Sequence, residues 1–221
     1  MLLELFILCI FLLLYFLVYV DIKINKNNEF YNFDDTGELT RQNLNNEILL
    51  KMPFYFDADH INREFSKEDL ILLEKDKKNK YKKYKKIGNS FDLFTPNIKS
   101  EMIDIMYILS KGGSVPIHTN DESITYYFVR NGDADVVLIH PKFKDNFDIK
   151  KENDIKYLWN NSSFKKMHCK KGTVVYVPNG WLVSFVNNKD QKCNIEKLSY
   201  STIINKLILY FKKVFNYNSK N

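Results

Sequence analysis

Between residues 102 and 202 the chain breaks into short runs of β-branched and aromatic residues, each closed by turn residues. The runs are MIDIMYIL (102–109), ITYYFVR (124–130), DVVLIH (135–140), TVVYVP (173–178), WLVSFVN (181–187) and IEKLSYST (195–202). Lys-Gly-Gly, Asn-Gly-Asp, Lys-Lys-Gly and Pro-Asn-Gly separate them, and such punctuation lets a chain reverse direction. Short strands between regular turns predict an antiparallel sandwich or barrel. With 45% apolar and 15% aromatic residues, seven Gly and five Pro, a packed core is expected, and collagen-like or disordered classes are excluded. Residues 142–166, with Phe143, Phe147, Tyr157, Leu158 and Trp159 among many charges, read as a long insertion between strands.

The N-terminus obeys a different rule. LLELFILCIFLLLYFLVYV (2–20) carries one charge, Glu4, and no polar face. As a helix it would span roughly 28 Å, close to the hydrocarbon thickness of a bilayer. A cleaved signal peptide would need a basic start, a shorter apolar run and small residues before the cut, none of which is present. An uncleaved anchor over residues 1–22 is therefore expected, with the lipid bilayer as partner of residues 2–20. Lys23 and Lys26 follow the run and nothing basic precedes it, which would keep the C-terminal part on the cytoplasmic side.

Residues 23–52 are polar and rich in Asn, and read as a tether with a short element near 44–50. Ser66, Asp69 and the run Leu70–Leu73 predict a capped helix start, so that the domain from 53 has a helical part to about 90. KDKKNKYKKYKK (Lys75–Lys86) reads as a solvated helix end or loop, with anionic lipid as the natural partner beside an anchor. A formal charge of +6 is too mild for a dedicated nucleic-acid binder. Over residues 203–221, Ile203, Ile204, Leu207, Ile208, Phe211, Val214 and Phe215 fall at helical spacing. This amphipathic helix is expected to pack on the barrel or on a second copy, with a membrane surface as the alternative. Cys9, Cys169 and Cys193 form no metal-ligand spacing and no secreted disulfide framework, so a reducing compartment is expected. The abundance of Lys, Asn, Ile, Tyr and Phe is what A+T-rich codons encode, which would fit a viral or host internal membrane.

SVPIHTNDESITYYFVRNGDADVVLIHP (114–141) and MHCKKGTVVYVPNGWLVSFVN (167–187) together resemble the cupin-like JmjC hydroxylases. The resemblance covers roughly residues 90–200. It implies a mainly β fold, a double-stranded β-helix or jelly-roll-like cupin barrel over 53–202, flanked by helices and preceded by the transmembrane helix. It also implies an Fe(II) centre of two histidines and a carboxylate, with 2-oxoglutarate as cosubstrate. His118 matches the first histidine. The carboxylate position holds Asn120, so Asp121 would serve only through a local bulge. The second histidine position is Val183, which has no donor atom. The lysine that would bind the cosubstrate falls at Ala134, between Asp133 and Asp135, whose charges would repel a carboxylate.

Other groups offer little in return. His140, His168 and His60 read as ordinary exposed or hydrogen-bonded histidines. Ser184 and Ser201 lack a nucleophile elbow, and Gly112-Gly113 sits at a strand turn rather than in a phosphate loop. Tyr126 and Trp181 remain as binding-pocket candidates, though Trp181 reads more readily as core. A membrane-anchored, non-catalytic barrel serving an unidentified protein partner as a scaffold or adaptor, or acting as a small-molecule or peptide binding module, is therefore expected, without a cofactor. The alternative is an Fe(II)/2-oxoglutarate hydroxylase with shifted ligands.

Overall fold

In a computed structural model of the chain, residues 2–22, 24–35, 38–58, 70–86, 92–97, 99–146 and 164–218 are described; the side chains of 16–22, 35, 92, 144–146 and 212–218 are not. His60, Ser66, Asp69 and most of the 142–166 insertion lie outside these residues.

Twelve strands form two sheets among the described residues. The larger takes the order β1 (Tyr31–Asn32), β2 (Phe54–Asp57), β10 (Thr173–Pro178), β7 (Ile124–Asn131), β12 (Cys193–Thr202), β5 (Ser100–Leu109), β4 (Tyr81–Lys86), β3 (Leu70–Asp76). The smaller is β6 (Ser114–Thr119), β11 (Leu182–Val186), β8 (Ala134–Ile139), β9 (Lys165–Cys169). Only β1–β2 pair in parallel; the other ladders are antiparallel. Every run singled out from the sequence between 102 and 202 becomes a strand within two residues of its expected ends.

The sheets face each other across one apolar interior. Tyr107, Tyr127, Val129, Val175 and Ile195 from the large sheet meet Val136, Leu138, Val183 and Phe185 from the small one, all buried. Successive side chains of a strand point to opposite faces, so Tyr126 and Phe128 turn the other way. They join Phe54, Phe56, Tyr176 and Leu198 on the outer face of the large sheet.

That outer layer is covered by residues expected to be a tether. Helix α2 (Arg41–Leu50) begins at Thr40, whose side chain accepts from the Asn43 N–H, and ends at Lys51 in the left-handed region. Leu44 and Ile48, one turn apart, are buried against the sheet together with Phe33. Phe33, Leu44 and Ile48 stand in a polar, Asn-rich segment, which is why it read as a tether; the short element expected near 44–50 is α2.

Two further expectations give way. Leu70–Leu73 opens strand β3 and not a helix, pairing with β4 through a hairpin, with Ile71, Leu72 and Leu73 about half exposed at the sheet edge. The basic stretch Lys75–Lys86 is thus the end of β3, the turn and the return strand of this hairpin rather than a helix end. Its last member, Lys86, is buried against Glu196 (2.7 Å) and Asp104 (3.4 Å).

Helix α1 (Leu2–Ile22) forms as expected, and every described side chain from Leu2 to Tyr15 is exposed. Among the described residues no helix is long and apolar enough to cross a membrane. The C-terminal helix, α3 (Ile203–Asn218), also forms.

Candidate functional site

Strands β6 and β11 pair with Val183 opposite His118 and Leu182 opposite Thr119. Directly opposed residues share a sheet face with their Cβ atoms about 5 Å apart. The position expected for a second imidazole therefore stands beside His118, and a fully buried valine fills it.

The His118 ring is already engaged on both sides. Its Nδ1 lies 2.9 Å from the Pro116 carbonyl and its Nε2 3.0 Å from the Tyr127 hydroxyl. A carbonyl only accepts, so Nδ1–H is the donor, and Tyr127 donates to the Nε2 lone pair. Burial pushes the imidazole pKa down to about 4; the Pro116 bond opposes this and Lys197 adds to it. A neutral ring follows at physiological pH, with its one coordinating lone pair covered by Tyr127.

Asn120 holds the position expected for the carboxylate, and its side chain is spent on the fold. Its Nδ2 donates to the carbonyls of Val177 (2.7 Å) and Pro178 (3.2 Å), and its Oδ1 accepts from Thr125 Oγ1 at 2.8 Å. Its backbone N–H donates to Trp181 O and its carbonyl accepts from Gly180 N–H, each at 2.7 Å. An aspartate has no donor for the two strand-end carbonyls. Asp121 is exposed, and its main-chain carbonyl accepts from Asn179 Nδ2 (3.1 Å) and Asn205 Nδ2 (2.9 Å). Among the described residues no group of three or more His, Cys, Asp or Glu could hold a metal ion.

Ala134 faces the interior, opposite Cys169 on β9. The acidic neighbours point elsewhere: Asp135 Oδ1 lies 2.7 Å from His168 Nδ1, and Asp133 Oδ2 3.7 Å from His168 Nε2. Strand alternation thus turns these carboxylates to the surface, and they do not guard the barrel. Cys169 and Cys193 are both buried and free.

The two pocket candidates move into packed regions. Tyr126 belongs to the outer layer under α2, its ring 5.0 Å from Phe94 and 5.6 Å from Tyr176; Tyr127, one residue on, is the interior tyrosine. Trp181 is fully buried in the barrel core and meets the His140 ring edge-on at 4.9 Å. His140 in turn donates from Nε2 to the Asn25 carbonyl (2.7 Å) and accepts the Lys142 N–H at Nδ1 (3.1 Å). It fastens the chain leaving α1 to the barrel.

Sequence reasoning missed the polar groups near His118. Lys197 pairs with Glu122 at 2.9 Å and lies 6.0 Å from the Tyr127 ring centre, while Lys83 stands 5.9 Å from that of Tyr107. The signal was available in β12, where Lys197 shares the strand face of the core residue Ile195. On the opposite face Glu196 bridges Lys86 and Arg130.

This two-sheet barrel matches the cupin profile over residues 81–204. The match spans more than half of the chain, which belongs to the cupin family. No curated protein matches the chain. Among solved structures it is similar to the oxalate decarboxylase of Bacillus subtilis, at 11% identity over 59% of this chain and 28% of that one, with a TM-score of 0.39. The formate complex of the Lactobacillus farciminis oxalate decarboxylase gives 14% identity over 63% and 33%, with a TM-score of 0.42. AerE from Microcystis aeruginosa gives 16% over 64% and 52%, with a TM-score of 0.38. The chain covers less than two thirds of each of these proteins.

Proposed function

We propose that this protein is a non-catalytic cupin barrel that α1 attaches to a membrane, where it serves an unidentified protein partner as a rigid scaffold or adaptor. The observation that carries this reading is the filled interior around His118. Val183 stands where a second ligand would be needed, Tyr127 covers the free nitrogen, and Trp181 and Phe185 are fully buried in the same core. A metal held by two imidazoles and a carboxylate does not fit these residues. The apolar length of residues 2–20 supports attachment, and Lys23 and Lys26 favour the cytoplasmic side for the barrel. The exposed lysines of the β3–β4 hairpin would add contact with anionic lipid.

Two measurements on the full chain test the reading. Wild type should resist carbonate extraction from membranes and the Leu8→Lys/Leu12→Lys variant should be released; release of wild type would overturn the attachment. The alternative, an Fe(II)/2-oxoglutarate hydroxylase with shifted ligands, requires Asp121 to turn inward and Tyr127 to release Nε2. Stoichiometric Fe(II) or Mn(II) binding that His118→Ala abolishes would establish that site and overturn the non-catalytic reading.

A further inference from the structure

Helix α3 shows a second apolar surface. Ile203, Leu207, Tyr210 and Phe211 are 67%, 52%, 62% and 54% exposed, and their spacing of four, seven and eight residues puts them on one face. The helix cannot roll to hide that face. Asn205, 2% exposed, donates from Nδ2 to the Asp121 carbonyl (2.9 Å) and accepts from Asn179 Nδ2 (3.3 Å), while its backbone N–H donates to Thr202 Oγ1 (3.0 Å).

Both apolar helices leave the barrel at the same end. Asn179 holds α3, and at the next residue a Cβ on Gly180 would stand 3.9 Å from Ile24 Cδ1, just beyond α1. The two helices also touch each other. Residues 203–221 contain Lys206, Lys212, Lys213 and Lys220 and no Asp or Glu; Lys206 also pairs with Glu101.

We propose that α3 lies in the headgroup–acyl boundary of the bilayer that α1 enters, with Ile203, Leu207, Tyr210 and Phe211 turned to the acyl chains. The basic, acid-free helix suits anionic headgroups. A second copy is the weaker occupant, because an interface on α3 would leave the all-round apolar α1 beside it in water, whereas one lipid surface covers both. The proposal rests on the reading of α1 as the membrane segment.

Nitroxide labels on the full chain, with Cys9→Ser, in phosphatidylcholine–phosphatidylglycerol vesicles test it. Labels at Leu8→Cys, Leu207→Cys and Lys189→Cys report on α1, α3 and an exposed barrel turn. Positions 8 and 207 should collide several-fold more with oxygen than with a water-soluble nickel chelate, relative to position 189. A lipid signature at 8 with a wet signature at 207 overturns the placement of α3 alone. Position 207 shielded from both reagents, with dipolar broadening between labels, overturns it in favour of a second copy. A wet signature at position 8 overturns the anchor, and the α3 proposal with it.

Discussion

Asn120 illustrates how a single residue can decide between a ligand and a clasp. Its side-chain amide ties the end of β10 to the end of β6, and every polar atom it carries has a partner. Asn120→Asp would take the Nδ2 donor from the Val177 and Pro178 carbonyls, leaving Pro178 the longer bond from the Trp181 N–H (3.4 Å), and would bury a charge, so a loss of about 1–3 kcal/mol is expected. Urea unfolding in detergent should show a lower midpoint at unchanged slope. Asp104 makes a second case. Burial is the main reason its carboxyl is pushed up to about 7, with Glu196 adding to the shift and Lys86 opposing it. Because the folded value lies above the unfolded one of about 4, the folded chain holds the extra proton between them. That contribution to stability is complete below the unfolded value and is lost as pH rises through 7, at no more than about 1.4 kcal/mol per pH unit. Glu196 is shifted down, chiefly by Arg130 and Lys86 against its own burial, and acts only at lower pH. Asp104→Asn should therefore flatten the fall in urea midpoint between about pH 5 and about pH 8; an unchanged slope would contradict the assignment. At this scale Val183 was legible, because the Pro-Asn-Gly turn sets its register. The role of Asn120 was not, since no sequence pattern reveals which carbonyls a buried amide will reach.

Elements were legible where turn chemistry and strand composition agree. From 102 to 202 each glycine turn marks a strand end, and β5, β7, β8, β10, β11 and β12 follow. Parity within the strands was harder. Ile124–Val129 is apolar on both faces because the large sheet is covered twice, by the barrel interior on one side and by α2 on the other. Nothing in ITYYFV then says whether Tyr126 or Tyr127 points inward. The β3–β4 hairpin was hidden for another reason: Leu70–Leu73 lies at a sheet edge with both faces open, so alternation is absent and a helix start fits as well. The β6–β11 register yields a direct prediction. Val183→His in a Tyr127→Phe background places two imidazoles on one sheet face with His118 Nε2 uncovered, and should create Ni(II) affinity detectable by calorimetry. The single variant Val183→His should bind more weakly, because Tyr127 still holds the lone pair. Equal affinity in the two would show that Tyr127 does not control the nitrogen.

For the whole molecule, the barrel and both terminal helices could be read from the sequence, whereas the union of residues 31–50 with the barrel could not. Phe33, Leu44 and Ile48 are buried against side chains of β2 and of β7, β10 and β12, the last three distant in sequence, so their burial is a property of the tertiary fold. The resulting molecule has an apolar interior, a second apolar layer outside it, and two helices with exposed apolar surface leaving one end. Its central property is the neutral, covered His118. Long-range proton–nitrogen NMR of the full chain with labelled histidine reads this most directly. The account predicts one neutral Nδ1–H tautomer of His118 from about pH 5.5 to about pH 8, as a pKa near 4 requires, and no change on adding Zn(II). Titration of His118 within that range, or a Zn(II)-dependent shift of its Nε2 resonance, would contradict it.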